Sequence, residues 1–430
     1  MKFNKKFKLI ALSTTLVTSL MLGACSNKAS KEEANVLKVP NADIWGEESS
    51  ALRVMYDLYQ KDNPDIKIKE VSVQDMGTAL AAGEAPDLLL QGPFEAAEAY
   101  KQGYIEPMDA YYEKYKYDEK MFQWSKNAYE FDNKIIGIPW NYEGLMLVYN
   151  KTLFEENGWE VPTNYNEVVS LSKEIESKGT IPFAWGTSDC EGCDNWWISS
   201  IVNSVLGPEG TKQLYSGDKK WTDPEVVEAI QRYSDFWNDG YVTEKKSHAI
   251  STEDASKLFI TGKSAMKIDG TWSLAAGLET DFEVGYAPFP SWSPDGEPVI
   301  PLGVGAGLTI NAKSKHKDEV AELLSYFFHE DVVVAMAKNG IPEPIEADYS
   351  GLDFEPNVET ALNMINKAAA NGKSGYLSFS YASPSVVEVL ESEFAGVYLK
   401  KTTVEKWLEK LQKLKEKDAK DGSLYKLENY

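Results

Sequence analysis

The chain of 430 residues is poor in the residues that most often carry catalysis, with three cysteines and three histidines. His248, His316 and His329 lack metal-type spacing, so a zinc centre cannot be assembled from them. Neither GxSxG nor HExxH occurs, which removes the usual signatures of serine hydrolases and zinc proteases. No apolar run approaches the roughly 18 residues needed to span a bilayer. Basic residues are scarce, with 44 Lys+Arg against 67 Asp+Glu and a net charge of -23. A surface so acidic repels phosphate backbones and anionic head groups, which argues against nucleic acid and against adsorption on lipid. It places no such limit on a neutral ligand. Gly262-Lys263-Ser264 ends like a phosphate loop, but Lys257 stands where that loop's first glycine belongs. Gly303-Val304-Gly305-Ala306-Gly307 lacks the dinucleotide spacing and reads as a bend that lets backbone pass close to a neighbour or ligand.

What is abundant is length, acid and aromatic surface. The length suits two lobes, each burying its own core. Twelve tryptophans and 23 tyrosines exceed what packing alone requires, so some are expected to line a site with their flat faces. Residues 1–24 have a basic start, Lys2 to Lys8, then an apolar stretch from Leu9 to Leu22 too short to cross a membrane, and read as a signal peptide. The stretch ends in Leu22-Gly23-Ala24-Cys25, which resembles the lipobox of bacterial lipoproteins and implies lipidation of Cys25. Residues 25–35 are polar and aperiodic, as a flexible tether should be. Cys190 and Cys193 form a CxxC between Asp189 and Asp194, where acidic neighbours disfavour a reactive thiolate. A small disulfide is favoured there over free thiols.

Strand and helix signals alternate. Val36–Val39, Ile66–Val71 and Leu88–Leu90 read as strands, the last a buried one of a parallel sheet. Glu47 to Lys61 reads as a helix with Leu52, Met55, Leu58 and Tyr59 on one face. Gly144–Tyr149 is a further strand, and Asn164 with Glu167 makes a capping box for a helix carrying Val168, Leu171 and Ile175. Asp223-Pro224 opens another helix, Leu308–Ile310 a strand, Val320 to Phe328 an amphipathic helix, and a last helix runs from Thr403. This is an α/β layer rhythm. Phe259, Met266 and Ile268 pack a helix onto a strand across a Gly262-Lys263 turn, and Gly270 then puts Trp272 beyond the strand's end, where ligands meet open α/β sheets.

Several blocks carry a resemblance. They are Asn133-Lys-Ile-Ile-Gly-Ile-Pro139, Trp140-Asn141-Tyr142-Glu143-Gly144, Leu145 to Lys151, Ala85-Pro86-Asp87, Phe259 to Met266 with Gly270 and Trp272, and Gly307-Leu308 to Lys317. In order and spacing the chain resembles the sugar-binding proteins of ABC importers, the maltose-binding-protein-like family of extracellular solute-binding proteins. The resemblance implies an α/β, two-lobed, type II periplasmic-binding-protein-like fold, with a ligand cleft between lobes and a hinge crossed about three times. The crossings would fall near Glu143–Leu147, Phe289–Pro290 and Asn339–Pro342. Lobe one would be 36–143 plus 291–340, and lobe two 147–288 plus 343–430. Glu143 matches a ligand-contacting glutamate of the family and Trp272 a sugar-stacking tryptophan. Trp196 and Trp197 fall in a segment that supplies another aromatic platform, one stacking and the other packing. Trp45, Gln91, Trp140, Asn141 and Asp269 complete the expected ligand set. After Leu90 the chain departs from the family's charged sugar-gripping pair with Gln91-Gly92-Pro93-Phe94, which counts against maltose itself. Asp87, between a proline and a buried strand, suits a structural role as well as a ligand contact.

The expectation is therefore a non-enzymatic, monomeric, lipid-anchored protein on the outer face of a Gram-positive cell membrane. It would need no cofactor and no metal, and would capture a mono- or oligosaccharide for an ABC permease by closing its lobes. A polyamine site is the alternative, since acids and aromatics also suit a cation. A glycoside hydrolase ranks below both, because nothing marks out its two spaced carboxylates.

Overall fold

The computed structural model describes residues 35–43, 50–190, 192–275, 278–347, 349, 352, 354, 356–371 and 375–424. Trp45, Cys25, the signal segment and all of the tether but Asn35 lie outside the described residues.

In the first lobe β1 (Val36–Pro40) pairs in parallel with β2 (Lys67–Val71), and between them runs α1 (Ala51–Asp62). The strand β3 (Leu88–Gln91) lies on the other side of β1, tied by the Asp87 N–H donating to Lys38 O at 2.9 Å. Its far edge takes the late strand β10 (Gly307–Ile310), antiparallel in register Leu308↔Leu90, which also pairs with β4 (Ile138–Pro139). The buried strand expected in a parallel sheet thus has an antiparallel neighbour brought in from more than 200 residues away. Along β3, Leu88 joins the core that holds Leu52, Met55, Tyr59, Leu324 and Phe327, whereas Leu89 joins the core on the opposite face. The period of two allows nothing else. Asp87 is structural: its carboxylate accepts from Lys38 N–H at 2.8 Å and from Ser314 Oγ at 2.7 Å.

The second lobe is built on β5 (Tyr142–Asn150). β7 (Ser264–Gly270) runs antiparallel to it, β6 (Ile181–Ala184) is parallel to β7, and β8 (Val284–Pro288) pairs antiparallel with β5. α2 (Lys151–Asn157) follows β5 directly, and α3 (Tyr165–Ser177) starts on the expected cap, with Asn164 Oδ1 accepting from Glu167 N–H at 3.2 Å. The Glu167 carboxylate reaches one residue further back than a capping box requires, to Thr163 N–H at 2.8 Å. α4 (Cys193–Ser216), broken at Gly207-Pro208, and α5 (Pro224–Asp239) pack against each other and bury Ile198, Ile201, Tyr233 and Phe236.

The lobes join where Tyr142 lies. Its N–H donates to Pro342 O at 3.1 Å, and it pairs with Val304 of β9 (Leu302–Val304). The glycines that follow lie where an added side chain would crowd a neighbour. A Cβ on Gly303 would come 2.7 Å from Ser380 Oγ, on Gly305 2.3 Å from Glu143 Oε1, and on Gly307 2.2 Å from the Tyr129 ring. The expected second crossing at Phe289–Pro290 is corrected by this geometry. Ser291 N–H donates to Thr163 O at 2.8 Å, and Trp292 is fully buried beside Trp197 and Phe236, with ring centroids 5.7 and 5.5 Å away. Burial of that indole keeps Ser291 and Trp292 in lobe two, and the chain crosses over Leu302–Gly307 instead.

Candidate functional site

β6 and β7 run parallel and both end, at Ala184 and Gly270, on the side where antiparallel β5 begins. The register Leu145↔Gly270 continues past the strand, with Thr271 N–H donating to Gly144 O at 3.1 Å. Trp272 then opens a short helix, Trp272–Ala275, just beyond the strand. The neighbouring N–H of Leu145 donates to Pro301 O on the opposite edge, because the C=O and N–H of one peptide point in opposite directions. Glu143 is therefore flanked by lobe-two strand ends on one side and by the returning β9 on the other.

The Trp272 indole lies over Gly270, where an added Cβ would come 2.2 Å from the ring. Trp196, in the first turn of α4, meets it with centroids 4.6 Å apart at 49°, and Trp185, immediately after β6, stands 6.1 Å from Trp196. The start of α4 is held by the bonded Cys190 and Cys193, and Asp189 accepts from Thr252 N–H at 2.8 Å. Lys267 and Asp269 meet on one face of β7 at 2.6 Å. The three tryptophans, this ion pair and the disulfide wall a cavity of about 550 Å³. That size suits a small ligand. A larger hollow, about 700 Å³, lies around Tyr149, Lys151 and Tyr286 towards the other end of β5 and has no tryptophan in its wall. The chemistry gathers in the smaller one.

Glu143 is half-buried, and desolvation pushes its carboxyl up to about 7 even though a hydrogen bond from Asn141 pulls it down. The Asn141 Oδ1 accepts from Ala306 N–H at 2.9 Å, so the amide ties Glu143 to the second crossing. Asp269 takes the Gly270 N–H at 2.9 Å. Burial raises the Tyr286 hydroxyl to about 12, and the Asp269 charge adds to the rise.

The structure brings together Trp196, Asp269 and Trp272, with Glu143 and Asn141 at the same end of the sheet. Three expected contacts are corrected. Trp140 is 1% exposed and packs on Phe327 at 5.3 Å in the core of lobe one, which leaves no face for a ligand. Trp197 is fully buried, stacked on Tyr233 at 5.1 Å and 11°. Gln91 is largely buried and its Oε1 accepts from Thr309 Oγ1 at 3.2 Å, so its amide oxygen is taken up by the lobe-one sheet. Trp185 and Lys267 were not among the sequence candidates. Trp185 sits in Phe183-Ala184-Trp185-Gly186, just past a strand end, and the reasoning that picked out Trp272 applies to it equally. Behind it Asp194 is buried, accepts from Tyr398 OH at 3.1 Å, and has its carboxyl raised by burial to about 7.

Residues 45–334 match the profile of a family described as bacterial extracellular solute-binding protein. The chain belongs to that family. Among relatives of this solute-binding protein is the multiple sugar-binding protein of Streptococcus mutans serotype c. It is 29% identical over 343 residues, covering 76% of this chain and 79% of its own length. The maltodextrin-binding protein MdxE of Bacillus subtilis is 23% identical over 433 residues, covering 92% of this chain and 99% of its own. In three dimensions the solute-binding protein superposes on a chitin oligosaccharide binding protein with a TM-score of 0.74. That match has 22% identity and covers 90% of this chain and all of the other, so the two share the two-lobed α/β fold.

Proposed function

We propose that this solute-binding protein captures a neutral saccharide between its lobes and hands it to an ABC permease. The observation that carries the reading is the cavity at the strand ends of lobe two. Its indole rings offer flat apolar faces, the Lys267 ammonium and Asp269 carboxylate in its wall neutralise each other, and Glu253, also in the wall, is exposed and paired with Lys257 at 2.6 Å. The pyranose faces lie on Trp196 and Trp272, and Glu143, where β5 leaves the hinge, accepts a hydrogen bond from a hydroxyl. Contacts to both lobes favour the closed state, since only a difference in affinity between open and closed forms can drive closure. The names of the Streptococcus and Bacillus relatives support a sugar and an importer. No bond is broken in the process. The protein works as a monomer, tethered outside the membrane by a lipid on Cys25 of the Leu22-Gly23-Ala24-Cys25 motif.

Calorimetry with malto-, xylo-, chito- and galacto-oligosaccharides tests the reading. One stoichiometric binder with a dissociation constant of roughly micromolar, about -8 kcal/mol, is expected. Failure of every sugar to bind, or release of reducing ends on long incubation, overturns it. Cys25→Ala in the producing cell is expected to release the protein into the medium.

A further inference from the structure

Lys267 and Asp269 are separated by one residue on β7, so the strand period turns both side chains to the same face. They meet at 2.6 Å with side-chain exposures of 11% and 10%, and both line the tryptophan cavity. An ammonium has three N–H donors and a carboxylate about four acceptor positions. Asp269 takes one of the Lys267 donors and also the Gly270 N–H. Donors therefore remain on Lys267 and lone pairs on Asp269, side by side and facing the same hollow.

We infer that Lys267 and Asp269 together read two adjacent hydroxyls of an uncharged sugar ring, Lys267 donating to one oxygen while Asp269 accepts from the other. The inference rests on the saccharide reading above. A lone carboxylate would recruit a cation and a lone ammonium an anion. The close pair is neutral overall and rewards a group that both donates and accepts, as vicinal hydroxyls do. When the lobes close over the cavity, a ligand unable to satisfy both charges leaves a desolvated group unpaired, which is costly. A polyamine meets Lys267 and a phosphate meets Asp269, so each is rejected by one member of the pair. The pair is a specificity determinant and the rings are the platform.

The test uses the full-length protein, with calorimetry against the four oligosaccharide series, spermidine and sn-glycerol 3-phosphate at low and high salt. Lys267→Met, Asp269→Asn and the double variant are compared, with Lys267→Arg as the charge-conserving control and thermal melts to verify folding. Each single variant is expected to weaken the best sugar at least tenfold, and the double variant to weaken it no more than the worse single. A monodeoxy analogue lacking one of the two hydroxyls should lose about tenfold on the wild type and under threefold on the double variant. Lys267→Met should gain salt-sensitive spermidine binding. Folded variants that bind the sugar within twofold of wild type, while Trp272→Ala abolishes binding, overturn this inference and leave the saccharide reading intact. Preference of the wild type for spermidine or glycerol phosphate over every sugar overturns both.

Discussion

Replacing Glu143 by glutamine should change the way stability depends on pH. Desolvation holds the Glu143 carboxyl at about 7 in the folded protein against an ordinary 4.5. Below 4.5 both folded and unfolded chains carry the proton, and the group contributes no difference. Between 4.5 and about 7 the unfolded chain has released the proton while the folded one still holds it, so rising pH favours unfolding. Above about 7 the full penalty of a desolvated carboxylate is present. The rise corresponds to roughly 3 kcal/mol. Glu143 keeps some contact with solvent, which trims the figure to about 2 kcal/mol. Glutamine has nearly the same shape and does not ionise. Urea midpoints of the ligand-free protein and E143Q, measured from pH 4.5 to 8, should coincide at the acid end. They should diverge as pH rises, with E143Q more stable by about 2 kcal/mol at pH 8. An offset that stays constant across this range would refute the reasoning, because it would mean that the carboxyl titrates normally in the fold. The same variant should bind sugar more weakly, since an amide accepts a hydroxyl proton less strongly than a carboxylate.

Other substitutions separate site from scaffold. Trp272→Ala and Trp196→Ala should each weaken sugar binding by about 10- to 100-fold, the loss of a large apolar face worth roughly 1.5–3 kcal/mol, read by calorimetry with unchanged far-ultraviolet circular dichroism. Trp197→Ala should instead destabilise the protein by about 3–5 kcal/mol in denaturant titration, because it empties a packed core site. Gly305→Ala puts a methyl 2.3 Å from the Glu143 carboxylate; the end of a flexible side chain yields at little cost in stability, so the melt should hardly move while affinity falls at least tenfold as the carboxylate is displaced. Replacing Cys190 and Cys193 by serine opens only a four-residue loop and should cost about 2 kcal/mol of stability in the entropy model.

Local signals read well where one residue's neighbours in sequence are also its neighbours in space. The cap on α3, the proline opening α5 and the turn at Gly262 are of this kind, and so is Trp272, because Gly270 and a strand end fix its place within a few residues. The tryptophans that could not be sorted depend on distant chain. Trp196 and Trp197 are adjacent on a helix, and nothing local says that Tyr233 and Trp292 will enclose one ring while Trp272 meets the other. Trp140 looked accessible beside a hinge motif, yet Phe327, nearly 190 residues away, covers it. Asp269 was in the expected ligand set, but Lys267, two residues before it, carries no local signal, and only the cavity makes the pair consequential.

By itself the sequence determined the α/β layering, because alternating strand and helix periods with local caps and turns leave few other arrangements, while the division into two lobes came from the family resemblance of whole blocks. The same resemblance marked out Glu143, beside the hinge loop, and Trp272, past a strand end. Tertiary structure decided where the lobes exchange chain, through the burial of Trp292, and which indoles face solvent. It also brought Lys267 and Asp269 together as a neutral pair in the cavity wall. These outcomes depend on which distant surfaces exclude water from a given side chain, and the order of residues along the chain does not record that.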